Sequence, residues 1–323
     1  MPHPHMIFDI DECEQYSSQP DKTTAIVTTS QAPINFLMWN VFSFLLRSKM
    51  NDFLEHITVC INGADRRTGD PSLQDTKQKF LEELRDLKWR KLDGTSKDMP
   101  LTIIRVWSRI GADQSVEMGT AWCHTDSYLL THDDSIVLDH GWESEVVSKL
   151  YSDPKVATVY CDQELQGFLS SDKFHGDWKL NIPHMNSIHF MAVKKAAIAK
   201  AGVRWAGFHF HKEFDLNEIV NTPELFEFYK DHIRQPQTQE TYSWVSQDFG
   251  AWMHYRLKQE GYHSVPFEKE LVHHFKSASW GGSEYVAEVV NRTEAQKHIA
   301  KLEEELTNYP EYLELYNKYK VAI

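Results

Sequence analysis

The feature that most restricts how this chain can fold is the run Tyr128 to Leu138, in which Leu129, Leu130, Ile136 and Val137 enclose Thr131, His132, Asp133, Asp134 and Ser135. The apolar residues at either end demand burial, whereas a histidine and two carboxylates are costly to bury unless paired or bound to metal. The run is read as a strand ending in a polar cluster, and such a cluster is a site candidate. Two readings of it stand side by side. Asp133 and Asp134 either form a turn or cap the following helix, as Asx residues commonly do, or they hold a hard divalent cation, which takes a few oxygen ligands and leaves positions open.

The chain ahead of this run shows what kind of sheet the strand belongs to. Thr23 to Ser30 is β-branched, Pro33 stands where a first helical residue belongs, and Ile34 to Arg47 is apolar on most of its circumference. That predicts strand, tight turn and buried helix. His56 to Ile61 is a second strand, ending in Asn62, Gly63, Ala64 and Asp65, which suit a turn and can present a carboxylate. A helix follows, with Ser72 as its cap and Phe80, Leu81, Leu84 and Leu87 on one face. Leu101 to Val106 is the third strand, and Gly111 to His124 a short helix with Val116, Thr120 and Cys123 on one side. Alternating strands and helices predict an α/β fold with a mixed, mostly parallel central sheet flanked by helices. Ligands of such sheets gather at the carboxyl ends of the strands. Thr28 to Gln31, Asn62 to Asp65 and His132 to Asp134 all fall there, which favours a cation that bridges nucleotide phosphates.

At 323 residues the chain can bury a substantial core. Its formal charge of −13, from 47 acidic and 34 basic residues, argues against a nucleic-acid partner held through phosphates. The longest apolar-rich stretch, Ile34 to Leu46, is interrupted by Asn35, Asn40 and Ser43 and falls short of the ~18 apolar residues of a membrane span, so no transmembrane segment is expected. Met1 to His5 lacks the basic and apolar regions of a signal peptide. Cys13, Cys60, Cys123 and Cys161 are widely spaced, without a C-x-x-C pair. Both point to a cytoplasmic protein with reduced thiols.

In the second half, Asp139 to Leu150 reads as a helix, Val156 to Cys161 as a strand, and Gln163 to His184 as a binding loop or lid. Asn186 to Val193 is a further strand, and Lys194 to Ala201 a helix stopped by Gly202. Ser246 caps a helix that buries Phe249, Trp252, Met253 and Leu257 and ends at Gly261. Asp248, in its first turn, either complements the helix dipole or faces a cleft as a general base. His273 and His274 precede the small-residue loop Ser277 to Ser283. Ala295, Ile299, Leu302 and Leu306 mark an amphipathic helix, and Pro310 separates a last one; these pack on the domain or pair with a second copy as a homo-oligomer. The expected organisation is an arm over 1–22, the α/β domain over 23–284 and a helical extension over 285–323.

The order of these pieces resembles the GT-A fold nucleotide-sugar glycosyltransferases, especially the inverting group called family 2, over roughly residues 23 to 280. In that family a first strand and an acidic turn after the second hold the nucleoside; Thr28, Thr29, Asn62 and Asp65 stand at those places. The family's D-x-D motif, which binds Mn²⁺ or Mg²⁺ on the diphosphate, is similar to His132-Asp133-Asp134, with His132 in place of the first acid. Gln247-Asp248, followed by Arg256 and by Gly261-Tyr262, is similar to the acidic pair that opens a later helix, and His274 with Ser279 to a histidine and serine beyond it.

The resemblance implies a sugar moved, with inversion, from a nucleotide-diphosphate donor to an acceptor hydroxyl on a glycan, a lipid-linked saccharide or a protein. Asp248 would be the base, Asp134 with His132 and His274 the metal ligands, and Asp133 part of the nucleotide-sugar site. Trp178, Trp205 and Phe208 are candidate platforms for sugar rings. A metal-dependent nucleotidyltransferase shares the sheet and the metal, but Thr28 to Ala32 lacks the glycines and bases of its phosphate loop. An inactive nucleotide-sugar-binding relative also fits, given His132 and Gln247 where acids are usual.

Overall fold

The computed structural model describes residues 8–10, 19–48, 53–63, 70–90, 94–107, 110, 112–161, 189–202, 213–215, 223, 244–246, 251–267, 269–275 and 283–323. A short strand, β1 (Phe8–Ile10), precedes β2 (Gln19–Thr28), helix α1 (Ile34–Arg47) and β3 (Leu54–Ile61). Helix α2 (Pro71–Arg85) leads through the antiparallel pair β4 (Lys88–Arg90) and β5 (Ser96–Asp98) into β6 (Leu101–Val106). Then α3 (Ala112–Ala121) returns the chain to β7 (Thr125–His132). There follow β8 (Ser135–Val137), α4 (Trp142–Leu150), β9 (Val156–Tyr160), β10 (Phe190–Lys194) and α5 (Lys195–Ala201). Strands β11 (Glu213–Asp215) and β12 (Trp244–Ser246) pair with each other ahead of α6 (Ala251–Gln259), β13 (His263–Pro266) and β14 (Val272–His274). Helices α7 (Ser283–Val290), α8 (Thr293–Leu306) and α9 (Pro310–Tyr319) close the chain.

The central sheet has the order β1-β6-β3-β2-β7-β10-β9-β13. Strands β6, β3, β2 and β7 are mutually parallel. Strand β10 lies antiparallel between β7 and β9, β13 runs parallel to β9, and β1 is an antiparallel edge. The sheet is thus mixed and mostly parallel, with helices on both faces. From β2 the chain steps outward through β3 to β6, then comes back to place β7 on the other side of β2. The strand order therefore reverses between β2 and β7, and in open α/β sheets the ligand crevice lies outside the carboxyl ends of the strands at such a point.

Alternation along the central strands divides the core into two layers, because successive side chains of a strand point to opposite faces. Ala25, Val27, Val59 and Leu129 join the cluster beneath α1, α2, α4, α8 and α9. Ile26, Cys60, Tyr128 and Leu130 face the other way, toward α3, α5 and α6. Helix α3 comes in closely: a Cβ at Gly119 would lie 2.5 Å from Cγ2 of Ile26 and 3.3 Å from Sγ of Cys60. Any larger residue would push the helix off the sheet.

Several sequence expectations shift by a few residues. Asp70, not Ser72, caps α2, accepting from Ser72 N at 2.9 Å, because Pro71 takes the first helical position. Ser246 is the last residue of β12, paired with Glu213, and the start of the helix after it lies outside the described residues. The lead-in contributes β1, which was too short to show a period. Helices α8 and α9 pack back on this chain: Trp39 Nε1 donates to the Tyr316 hydroxyl at 3.0 Å, and the Asn35 amide makes two hydrogen bonds to the backbone of Val321. Cys60, Cys123 and Cys161 are buried free thiols; Cys13 lies outside the described residues. No helix among the described residues is long and apolar enough to cross a membrane.

One buried group ties this sheet to pH. His56 on β3 is buried, with Nε2 2.8 Å from Oγ1 of Thr102 on β6. Burial foremost, then Lys97 and His124, push its pKa from 6.5 down to about 4. The unfolded chain takes up this proton as pH falls through 6.5 while the folded chain resists until about 4, so stability present above that window drains away within it, by about 3 kcal/mol at most. We expect His56→Gln, which keeps a polar partner for Thr102, to flatten this acid limb. Urea unfolding across the window measures it, and a slope equal to that of the wild type would mean that His56 is not the group responsible.

Candidate functional site

At the reversal point the strand ends are tied to one another by short hydrogen bonds. Thr28 pairs with Cys60 on one side and His132 on the other. Thr28 O accepts from Asp133 N at 3.1 Å, and Thr29 N donates to Cys60 O at 3.0 Å. The Thr29 hydroxyl accepts from Asn62 N at 3.2 Å, and the Asn62 side chain clamps the backbone of Ile110 through bonds of 2.9 and 3.0 Å. The loops after β2, β3 and β6 are thereby fixed as one rim. Trp107, at the end of β6, stands 50% exposed on that rim, with the Arg105 guanidinium 4.7 Å from its ring.

The acidic turn is held from below by α1. The amide nitrogen of Asn40, fully buried, faces four oxygens at 3.0–3.2 Å: Oγ1 of Thr131, O of His132, and O and Oγ of Ser135. Ser43 Oγ accepts from Val137 N at 3.0 Å, and Arg47 Nη1 donates to Val137 O while its Nε meets Glu305 Oε2 at 2.9 Å. Asn40, Ser43 and Arg47 fall at i, i+3 and i+7, one face of the helix. In the sequence they appear only as breaks in an apolar run, and their helical spacing is the signal that could have flagged them.

The two carboxylates of the turn have separate surroundings, although both are fully buried. Each oxygen of Asp133 accepts from Ser30 N at 3.1 Å, and Oδ2 also takes Lys77 Nζ at 3.0 Å in a pair with no solvent contact. Lys77 donates as well to Ser30 O at 3.0 Å. Burial pushes the Asp133 carboxyl up and Lys77 draws it back. Asp133 thus fixes the backbone that follows β2. Asp134 faces histidines instead, and its Oδ1 is 3.2 Å from His274 Nε2. Burial works against its charge, yet His274 foremost, with His132 and His189, holds this carboxyl well below the usual range.

Strand pairing brings these imidazoles together from distant parts of the chain. His274 lies opposite Ser135 in the β14–β8 pair. Phe190 lies opposite Thr131 in the β10–β7 pair, so His189, one residue earlier, falls beside His132. One ligand atom each from His132, Asp134 and His189 lie within 4.8 Å of one another. A buried carboxylate among imidazoles is a donor set that suits a divalent first-row ion. His189 was missed in the sequence, where it stands as a lone histidine at the start of an apolar strand. His273 turns the other way, its ring 5.0 Å from those of Phe275 and His298. Asp65, Asp248, Gln247, Trp178, Trp205, Phe208, the loop over 163–184 and most of the loop over 277–283 lie outside the described residues.

No family model and no curated protein sequence matches the chain. Similar solved structures include a mannosyltransferase from Pyrobaculum calidifontis in complex with GDP-Man and Mn²⁺, at 14% identity and a TM-score of 0.37, covering 95% of this chain and 77% of that one. Another is the 4-diphosphocytidyl-2C-methyl-D-erythritol synthase of Anaerococcus prevotii, at 12% identity and a TM-score of 0.38, over 75% of this chain and 97% of that one. A third is glucosyl-3-phosphoglycerate synthase from Mycobacterium tuberculosis in complex with phosphoglyceric acid, at 10% identity and a TM-score of 0.35, over 88% and 80%. At that identity and overlap they assign neither a family nor a substrate.

The Lys77–Asp133 pair carries its own test. Removing one member of a buried pair leaves the other charge uncompensated, at about 3–5 kcal/mol. Lys77→Met should destabilise the protein by that order in chemical denaturation, and adding Asp133→Asn should recover much of the loss. Two losses that simply add would show that the pair is not coupled.

Proposed function

We propose that this chain is a glycosyltransferase of GT-A type that moves a sugar, with inversion, from a nucleotide-diphosphate donor to an acceptor hydroxyl. The observation that carries the reading is the acidic turn at the reversal between β2 and β7, with Asp134 buried and turned toward imidazoles. The rest follows from the resemblance of the sequence. Thr28, Thr29, Asn62 and Asp65 hold the nucleoside along the rim, where Trp107 offers a flat apolar face to the base. Asp133 serves the nucleotide at one remove, by locking Ser30 and Lys77. Asp134 and His132, with His274 set against the Asp134 carboxylate, would hold a divalent ion that supplies charge for the leaving diphosphate when bound. Asp248 takes the proton from the acceptor hydroxyl as the sugar is transferred.

The nucleotidyltransferase reading fits less well. Attack at an α-phosphate calls for a basic, glycine-rich loop after the first strand, and Thr28 to Ala32 has neither glycine nor base. Lys77 reaches that loop, but it is fully buried and committed to Asp133 and Ser30 O.

A screen of nucleotide sugars for released diphosphate, with and without Mn²⁺, tests the reading directly. Asp134→Ala should abolish metal-dependent binding of nucleoside diphosphate in calorimetric titration, since the charges of ion and diphosphate lose their carboxylate partner. If that variant binds nucleoside diphosphate and Mn²⁺ as the wild type does, the site is misplaced. Asp248→Asn should leave donor binding nearly intact and lower turnover by ~10²–10⁴. Lost donor affinity with unchanged turnover would make Asp248 a binding carboxylate.

A further inference from the structure

Resting on that reading, we propose that His132, Asp134 and His189 form a two-imidazole, one-carboxylate set that takes a first-row transition ion such as Co²⁺, Zn²⁺ or Mn²⁺ in preference to Mg²⁺. In the same arrangement His274 is a positioning residue that orients Asp134 and His189 without touching the ion. The ring planes separate the two roles. A ligand nitrogen offers its lone pair in the plane of its ring, so two imidazoles serve one ion only if their planes converge on it. His132 and His189 stand edge to face at 87° with centroids 4.9 Å apart, and a ligand nitrogen of each lies within 4.8 Å of the other. His274 instead lies stacked on His189, with centroids 3.6 Å apart and planes within 24°. Two rings stacked in nearly parallel planes are poorly placed to share one ion.

What His274 does reach is the carboxylate, with Nε2 3.2 Å from Asp134 Oδ1. Support from outside the coordination shell is what orients ligands in metal sites. The ligand atoms of His132, Asp134 and His189 lie within 4.8 Å of one another, and bonds of roughly 2.1 Å bridge atoms up to about 4.2 Å apart, so a slight inward closure completes the set. Imidazole nitrogen suits transition ions, whereas Mg²⁺ asks for a near-octahedral shell of oxygens. Three protein ligands leave positions open, which diphosphate oxygens can fill.

The test uses the full chain with Co²⁺ alone, read by visible absorption and by X-ray absorption at the cobalt edge. We expect one Co²⁺ per chain with two coordinated imidazoles, retained in a large excess of Mg²⁺. His189→Gln should lose one imidazole and bind at least ~10²-fold more weakly; His274→Gln should keep both and weaken binding by ~10–10²-fold, the range for an outer-shell change. Three imidazoles in the wild type, falling to two in His274→Gln, would make His274 a ligand and overturn the assignment, as would a folded His189→Gln protein that still shows two. Ready displacement of Co²⁺ by Mg²⁺ would overturn the ion preference. If His189→Gln does not fold, the wild-type imidazole count and the Mg²⁺ competition still decide. A parallel nucleoside diphosphate titration separates the two readings. Co²⁺ held by two imidazoles without nucleotide binding removes the transferase and keeps the triad, whereas nucleotide binding supported by Mg²⁺ with no Co²⁺ site does the reverse.

Discussion

A helix buried along its whole length has no solvent to satisfy its polar side chains, and α1 is such a helix. Its Asn40, Ser43 and Arg47 direct their hydrogen bonds at one target, the segment from Thr131 to Val137 that carries the acidic turn. A buried amide left unmatched costs about 1–3 kcal/mol, so helix and turn specify each other's position. Neither can slide without orphaning polar atoms of both. The turn is therefore rigid before any ligand arrives, the condition under which a site holds its geometry to within a fraction of an ångström.

The same logic extends to both ends of that helix. The Arg47 guanidinium bonds both to the segment after the turn and to Glu305 on α8, so the C-terminal helices lie one ion pair away from the site. At the other end Asn35 holds the backbone of Val321. On the same side of the sheet, Lys77 on α2 and Asp133 form a second buried pair around Ser30. Such pairs add little net stability in a low-dielectric interior, but losing one partner is severe. They are better understood as fixing register: α2, the backbone after β2 and the acidic turn are locked to one another by groups that have no other partner of opposite charge among the described residues.

Much of the fold was legible because its signals are local. The β-branched run before Pro33, the apolar face of Phe80, Leu81 and Leu84, the stop at Gly202 and the spacing of Ala295, Ile299, Leu302 and Leu306 each report burial or chain direction within a few residues. Errors came where two local signals competed. Pro71 moved the start of α2 back to Asp70 although Ser72 also suits a cap. The three-residue β1 carries too little pattern to be read at all.

The candidate site divides along the same line. By itself the sequence determined that Asp133 and Asp134 end a buried strand, that Thr28 and Asn62 end two earlier ones, and that His273 and His274 point to opposite faces, because a strand's period of two separates consecutive residues. Tertiary structure decided everything that depends on which strand lies beside which. The pairing of β10 with β7 brings His189 next to His132, the pairing of β14 with β8 brings His274 to Asp134, and the packing of α2 gives Asp133 its lysine while leaving Asp134 to the imidazoles. Two adjacent aspartates look alike in a sequence, and only the neighbours supplied by non-local pairing and packing set their charge environments apart.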